Sequence, residues 1–392
     1  MNTIKKRIQI FTFFFFYWLT SYSQIITGAE QLERYFPLIR DKKVAVCFNQ
    51  TSVIGKTHLV DTLVNVQINV VNIFAPEHGF RGEAEAGAQI QSSVDAKTGI
   101  SVVSLYGKNK KPTLEQLKDV DIIVFDIQDV GCRFFTYIST LHYLMEAAAA
   151  AKIPMLLLDR PNPNGYFVDG PVLEDKFRSF VGMHPVPVVH GMTIGEYAKM
   201  LNGEKWLENE LVCDLQIIEC KNYTHSCRYS LPTNPSPNLG SDESVFLYPS
   251  LCLFEGTDIS VGRGTSTPFQ IFGSPNLTVG DFYFTPESIK GVSEKPPHKG
   301  KKCRGFDLTE IANTELQNNN SFNISYLIIA YNNFPKELKF FTNPDFFDKL
   351  VGNTTLRWQI INGKSEEEIR ASWQPALENF NKMRSKYLIY PE

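Results

Sequence analysis

The chain has 392 residues, 43% apolar and 21% charged, with 39 basic and 42 acidic side chains for a net charge of −3. This is globular composition for about two domains of roughly 150 residues, which excludes a disordered chain and permits a sizeable core. The missing basic surplus argues against nucleic acid as a partner, and seven cysteines are too few for a disulfide scaffold.

The first element in chain order is not part of the fold. Lys5, Lys6 and Arg7 precede an apolar run over 8–19, which is followed by Ser21, Tyr22 and Ser23. A basic segment, a short apolar core and small residues two apart describe a secretory signal peptide over 1–23, cleaved near Ser23, with an uncleaved anchor as the alternative. The run is shorter than the roughly 20 residues that span a bilayer, so no stable membrane insertion is expected after cleavage. Export, to the periplasm or the medium, removes three positive charges and leaves a net charge of −6. An odd set of seven cysteines leaves at least one thiol free in an oxidising compartment. Cys132 and Cys252 lie in apolar surroundings and are expected to be buried.

Five apolar runs follow, at 43–48, 66–75, 100–105, 121–125 and 153–158. Nearly continuous apolar runs are strands buried on both faces, as in a parallel sheet. Between them, Thr113 and Gln116 have capping-box spacing for a short helix, and 135–151 is a longer one rich in alanine. The alternation predicts an α/β fold with a doubly wound, mostly parallel sheet over 24–205. No Gly-x-Gly-x-x-Gly follows a strand and no Walker A lysine motif occurs, which disfavours nucleotide binding. After about residue 205 the chain changes character, and 206–392 is predicted to be a smaller α+β domain. It holds a proline-rich segment at 234–238 and a basic loop with Lys295, Lys299, Lys301, Lys302 and Arg304, read as solvated. An asparagine-rich loop at 315–323, a strand at 326–330 and a helix over 365–386 opening at Ser365 follow.

Most of the runs end in polar clusters, and open α/β sheets bind ligands at the carboxyl ends of their strands. The clusters place Asn49, Glu77, His78, Asp126, Gln128, Asp129, Arg133, Asp159, Arg160, Asn162 and Asn164 on one edge. Pro76-Glu77-His78-Gly79-Phe80-Arg81-Gly82 sets a carboxylate beside an imidazole between glycines, which suits acid–base work, unless Glu77 only pairs with Arg81. Arg133 either clamps a substrate carboxylate or holds its own loop through an Asp pair. Asn162 and Asn164 offer amides to hydroxyls or an acetamido group, or form a plain turn. His190 ends another run, whereas Thr193 and Glu196 have the spacing of a structural capping box. Glu255 lies near the glycine-flanked Arg263, as a second acid for a cleft or as one half of an ion pair.

Together these segments resemble the DUF1343 family. The resemblance rests on Pro76 to Gly82, on Phe125-Asp126-Ile127-Gln128-Asp129-Val130-Gly131, and on Asp159-Arg160-Pro161-Asn162-Pro163-Asn164-Gly165. It continues in order through His190-Gly191-Met192-Thr193, Pro235-Ser236-Pro237-Asn238, and Phe254-Glu255-Gly256-Thr257 with Gly262-Arg263-Gly264-Thr265. The family's characterised members are exo-acting β-N-acetylmuramidases. The resemblance therefore implies a Rossmann-like domain joined to a smaller one, an active site between them, and release of N-acetylmuramic acid from non-reducing ends of cell-wall fragments. Peptidoglycan-derived muramoyl sugars are then the expected partners, and no metal or organic cofactor is needed.

Glycoside hydrolysis uses two carboxyl groups across the scissile bond, although a 2-acetamido sugar can assist its own departure. On that chemistry Glu77 is the expected general acid, with Glu255 or Asp126 activating water or acting as nucleophile. Arg133, Arg160 and Arg263 are candidates for the lactyl carboxylate of the muramoyl unit. Asn49, His78, Gln128, Asp129, Asn162, Asn164 and His190 complete the expected substrate-binding set. Two rivals remain: a metal-dependent hydrolase using His78, Asp126, Asp129 and His190, and a non-catalytic muramoyl-sugar-binding protein. An acyl hydrolase is disfavoured, because no Gly-x-Ser-x-Gly elbow occurs.

Overall fold

The computed structural model describes residues 24–82, 93–318 and 321–392, so the signal-peptide reading at 1–23 lies outside the described residues. In chain order the first strands are β1 (Lys43–Phe48), a small hairpin of β2 (Val53–Ile54) and β3 (Thr57–His58), β4 (Asn69–Ala75) and β5 (Ser93–Val94). They are followed by β6 (Ser101–Ser104), β7 (Ile122–Asp126), β8 (Met155–Leu158) and β9 (Leu215–Ile218). Seven of them form one sheet in the order β5-β6-β4-β1-β7-β8-β9, parallel throughout except for β5. The parallel strands thus run third, second, first, fourth, fifth, sixth, the Rossmann order, with the reversal between β1 and β7.

The apolar runs are strands because both of their faces are covered. Ala45, Cys47, Ile123 and Phe125 enter one core, and Val44, Val46, Ile122 and Val124 enter another across the sheet. Helices α1 (Leu32–Ile39) and α2 (Leu59–Asn65) close the second face. The first face is covered by α4 (Tyr137–Ala151) and α5 (Ile194–Gly203), which come after the one-turn α3 (Leu114–Leu117). Both predicted capping boxes form, Thr113 with Gln116 and Thr193 with Glu196. Glu196 also meets His225 Nε2 at 2.9 Å.

The sheet runs past residue 205, since β9 pairs in parallel with β8. Beyond it come α6 (Asp242–Leu251) and an antiparallel sheet of β10 (Ile271–Ser274), β11 (Phe282–Phe284) and β12 (Cys303–Asp307), with β12 in the middle. Among the described residues, helices α7 (Thr309–Asn318), α8 (Ser325–Asn332), α9 (Pro344–Val351), α10 (Thr355–Ile361) and α11 (Glu366–Arg384) complete this smaller half. Its core side chains Phe254, Phe272, Phe347 and Trp373 belong to the same cluster as the first face of the large sheet. The two halves therefore share one core and are not joined by a linker.

Two local readings change. The apolar run at 326–330 is helical: Tyr326, Leu327 and Ala330 are buried while Ile329 is 40% exposed, a helical pattern that so short a run does not reveal. The expected loop at 315–323 begins as helix, because α7 continues through Asn318. All seven cysteines are free thiols, and Cys132 and Cys252 are buried.

Candidate active site

A cavity of about 520 Å³ opens between the two halves, within the roughly 300–1,000 Å³ range of small-molecule sites. The large sheet contributes Glu77 and His78 from the turn after β4, Tyr106 from the end of β6, and Thr136 and Tyr137 from the start of α4. The smaller half contributes Tyr248, Glu255, Arg263, Phe269 and Lys295. Aromatic rings thus supply apolar walls, and carboxylates and cations supply the polar points.

The Glu77 turn is shaped by its backbone. Gly79 N–H donates to the Pro76 carbonyl at 3.1 Å, and His78 and Gly79 follow one another at φ 69° and 81°. A left-handed conformation is unusual for a residue with a side chain, and such backbone concentrates at functional sites. Thr136, the residue that precedes α4, makes no side-chain cap bond; its hydroxyl donates to Glu77 Oε2 at 3.0 Å instead. Tyr106 bonds the same carboxylate, and its phenol is pushed up by burial first and then by the Glu77 charge. Both hydroxyls can donate or accept, so they hold Glu77 in one orientation in either protonation state. Across the cavity Arg263 Nε donates to Glu255 Oε1 at 2.7 Å, and the guanidinium lies 4.9 Å from the Phe269 ring. Arg81, considered as a partner for Glu77, instead bonds Asp95 through Nε at 2.9 Å.

Four of the expected site residues, Glu77, His78, Glu255 and Arg263, meet in this cavity. The others do not line it, for one physical reason: the switch point of the sheet is filled by its own polar groups. Asp126 is fully buried at the end of β7 and is gripped by Arg160, with Nε to Oδ1 at 2.5 Å and Nη2 to Oδ2 at 2.8 Å. Neither is open to a substrate, which corrects both the acid–base role for Asp126 and the clamp role for Arg160. Asn49 Oδ1 accepts from the Thr51 amide and hydroxyl at 2.9 and 2.6 Å. Gln128 Nε2 donates to the carbonyls of Asp129 and Pro161. Asn162 donates to Met192 O and accepts from Asn164 N, and Asn164 donates to Val130 O and Val245 O. These amides tie loops together. Gly131 belongs to the same knot: at φ 72°, a Cβ there would lie 2.3 Å from the Asn162 amide.

Arg133 is also withdrawn from substrate. It is fully buried, and Nη1 donates to the carbonyls of Pro171 and Val186 while Nη2 donates to those of Leu350 and Val351, all at 2.7–2.8 Å. His190 is enclosed, with Nδ1 accepting from Met192 N at 3.3 Å and Nε2 lying 3.9 Å from Asp129 Oδ2. Burial, then the charges of Arg384 and Arg133, push its imidazole down to about 3. Among the described residues no group of three or more His, Cys, Asp or Glu side chains is placed to hold a metal ion, so His78, Asp126, Asp129 and His190 do not form the centre that the metal-hydrolase reading needs.

Burial raises the Asp129 carboxyl to about 7, against the opposing bond from the Gly131 amide at 2.7 Å. The unfolded carboxyl titrates near ~4. Between these values the folded chain keeps a proton that the unfolded chain has lost, so this group lowers stability as pH rises. Asp129→Asn keeps an oxygen for Gly131 and removes the titration. Its stability relative to the parent, followed by urea denaturation, is expected to climb from about pH 4 to about pH 7 and then level off. An offset that stays constant across that window would contradict the raised carboxyl.

Sequence reasoning missed Tyr106, Thr136, Tyr137, Tyr248 and Lys295. Tyr106 was visible as the residue that directly follows the third apolar run. Lys295 was placed in a solvated loop, and it is exposed, but it stands at the cavity.

Known proteins match this arrangement along nearly the whole chain. Residues 44–243 match the family described as Exo-beta-N-acetylmuramidase NamZ, N-terminal, and residues 246–390 match its C-terminal counterpart. The peptidoglycan beta-N-acetylmuramidase NamZ of Bacillus subtilis (strain 168) is 40% identical over 387 residues, covering 94% of this chain and 92% of that protein. A crystal structure of a DUF1343 family protein from Bacteroides fragilis NCTC 9343 superposes with a TM-score of 0.87 at 46% identity, covering 94% of this chain and 100% of that one. A second from the same organism does so at 0.76 and 30%, covering 93% and 99%. With both halves matched in order and a solved relative of the same fold, the chain belongs to the NamZ family of exo-β-N-acetylmuramidases, the family the DUF1343 resemblance anticipated.

Proposed function

We propose that this protein is an exo-acting glycosidase that releases N-acetylmuramic acid from the non-reducing end of peptidoglycan fragments. The observation that carries the reading is the pair of glutamates, one from each half, that face a single sugar-sized cavity. Glu77, oriented by the Thr136 and Tyr106 hydroxyls, gives its proton to the departing glycosidic oxygen. Glu255, aligned by Arg263, serves the anomeric side, as base for water or as nucleophile. The 2-acetamido group of the substrate is an alternative internal nucleophile, in which case Glu255 orients it. The aromatic walls take the apolar faces of the pyranose.

The test is a time course on a peptidoglycan-derived oligosaccharide with a muramoyl residue at its non-reducing end. Free N-acetylmuramic acid as the sole early monosaccharide supports an exo enzyme, whereas a ladder of internal fragments would overturn that mode. A protein that binds the oligosaccharide tightly and leaves it whole would instead be a sugar-binding protein. We also read residues 1–23 as an export signal, which suits a cell-wall substrate. Intact-mass analysis of the exported protein is expected to place its first residue near Gln24. A mature protein that retains Met1 would contradict this.

A further inference from the structure

A muramoyl unit differs from a plain N-acetylhexosamine by a lactyl carboxylate, so a site that reads it needs a cation whose charge is not already matched by the protein. Two of the three arginines considered above are enclosed: Arg133 by four carbonyls and Arg160 by Asp126. Arg263 does face the cavity, but its charge is matched by Glu255 at 2.7 Å. Lys295 also stands at the cavity, and it is exposed. Among the described residues it has neither a carboxylate within ion-pair distance nor a hydrogen bond.

The segment that carries Lys295 is nonetheless anchored. Pro296 follows it, which biases Lys295 towards extended backbone, and is itself buried against Gly264, where an added Cβ would lie 2.6 Å from its ring. Glu287 N–H donates to Gly264 O at 2.8 Å, and Asn238 Nδ2 donates to Val292 O at 3.0 Å. His298 Nε2 meets Asp258 O at 2.5 Å. A basic side chain without a partner among the described residues, on backbone fixed beside the Arg263 segment, is arranged to meet an anionic ligand.

We infer that Lys295 is the residue that receives the lactyl carboxylate and so selects muramoyl over plain N-acetylhexosamine termini. This inference rests on the glycosidase reading above and assigns its specificity to one side chain. A lysine ammonium is a point charge with three donors, suited to a carboxylate that arrives with its own rotational freedom. Placed at the lactyl group, away from the glycosidic oxygen that Glu77 protonates, Lys295 acts on binding, so its removal raises KM and leaves kcat nearly unchanged.

The test uses a chromogenic β-N-acetylmuramide and its primary lactyl amide, which has nearly the same size and leaving group but no charge. The parent enzyme is expected to prefer the acid by about 10- to 100-fold in kcat/KM, the range for one charge-assisted bond. In Lys295→Met that preference collapses through a raised KM for the acid, while the amide, which offers the lysine a neutral acceptor and no charge, loses far less. Lys295→Arg restores most of the preference. An unchanged melting temperature confirms that the exposed substitution leaves the fold alone. A Met variant that keeps the parent's acid-to-amide ratio, or a parent that does not distinguish the two, overturns the inference. Cleavage of neither substrate by the parent overturns the glycosidase reading and this one with it, and so separates the two failures.

Discussion

Glu77→Gln is expected to lower kcat by about a thousandfold, inside the 10²–10⁴ range for a positioned general acid. The amide presents one oxygen and one NH2 to two hydroxyls that can each donate or accept, so the side chain stays in place and only the transferable proton is lost. Melting temperature and binding of N-acetylmuramic acid should therefore match the parent. The loss should also depend on the leaving group. An aryl glycoside with an acidic phenol departs without help, whereas a sugar hydroxyl needs the proton. The variant is expected to retain much more activity on the aryl substrate than on a disaccharide. An equal loss on both would move Glu77 out of the acid role, and full activity on the disaccharide would remove it from catalysis.

The second large effect is on stability. Arg133→Met is expected to cost about 3–5 kcal/mol, the range for breaking a buried charged network. Four carbonyls lose their donor at once, two from the loops of the large half and two from the end of α9. The fit is tight: α9 ends on Gly352 at φ 86°, and a Cβ there would lie 2.9 Å from the Arg133 guanidinium. Lysine is no substitute, because three donors on one nitrogen cannot serve carbonyls on both sides of a planar fork. Because Leu350 lines the cavity, the clamp also ties the site to the larger half. Urea titrations of the parent, Met and Lys variants measure this. A Met variant within about 1 kcal/mol of the parent would show that Arg133 carries little of the joint.

These expectations mark where the sequence was legible. Buried parallel strands write themselves as continuous apolar runs, and all five appear as strands because both of their faces are covered. The helix starts at Thr113 and Thr193 were readable because a capping box is a local device, and that at Ser365 because three glutamates follow it in the first turn. The run at 326–330 was not, because five apolar residues fit either period.

The site was readable only by class. Strand ends do carry the chemistry, but the same residue types serve two purposes there. Asp126 and Arg160 satisfy each other inside the switch point, whereas Glu77 and Glu255 face a cavity. Only the fold distinguishes a carboxylate spent on its own scaffold from one offered to substrate. Lys295 shows the converse: a lysine in a proline-rich basic loop looks solvated until the loop is seen packed beside Arg263.

The most direct test of the central claim is to offer the purified protein a chromogenic β-N-acetylmuramide beside the matching β-N-acetylglucosaminide. Cleavage of the muramide with little or none of the glucosaminide is the predicted result. Cleavage of neither would contradict the assignment of a glycosidase, and equal cleavage of both would contradict a cavity built to read the lactyl group.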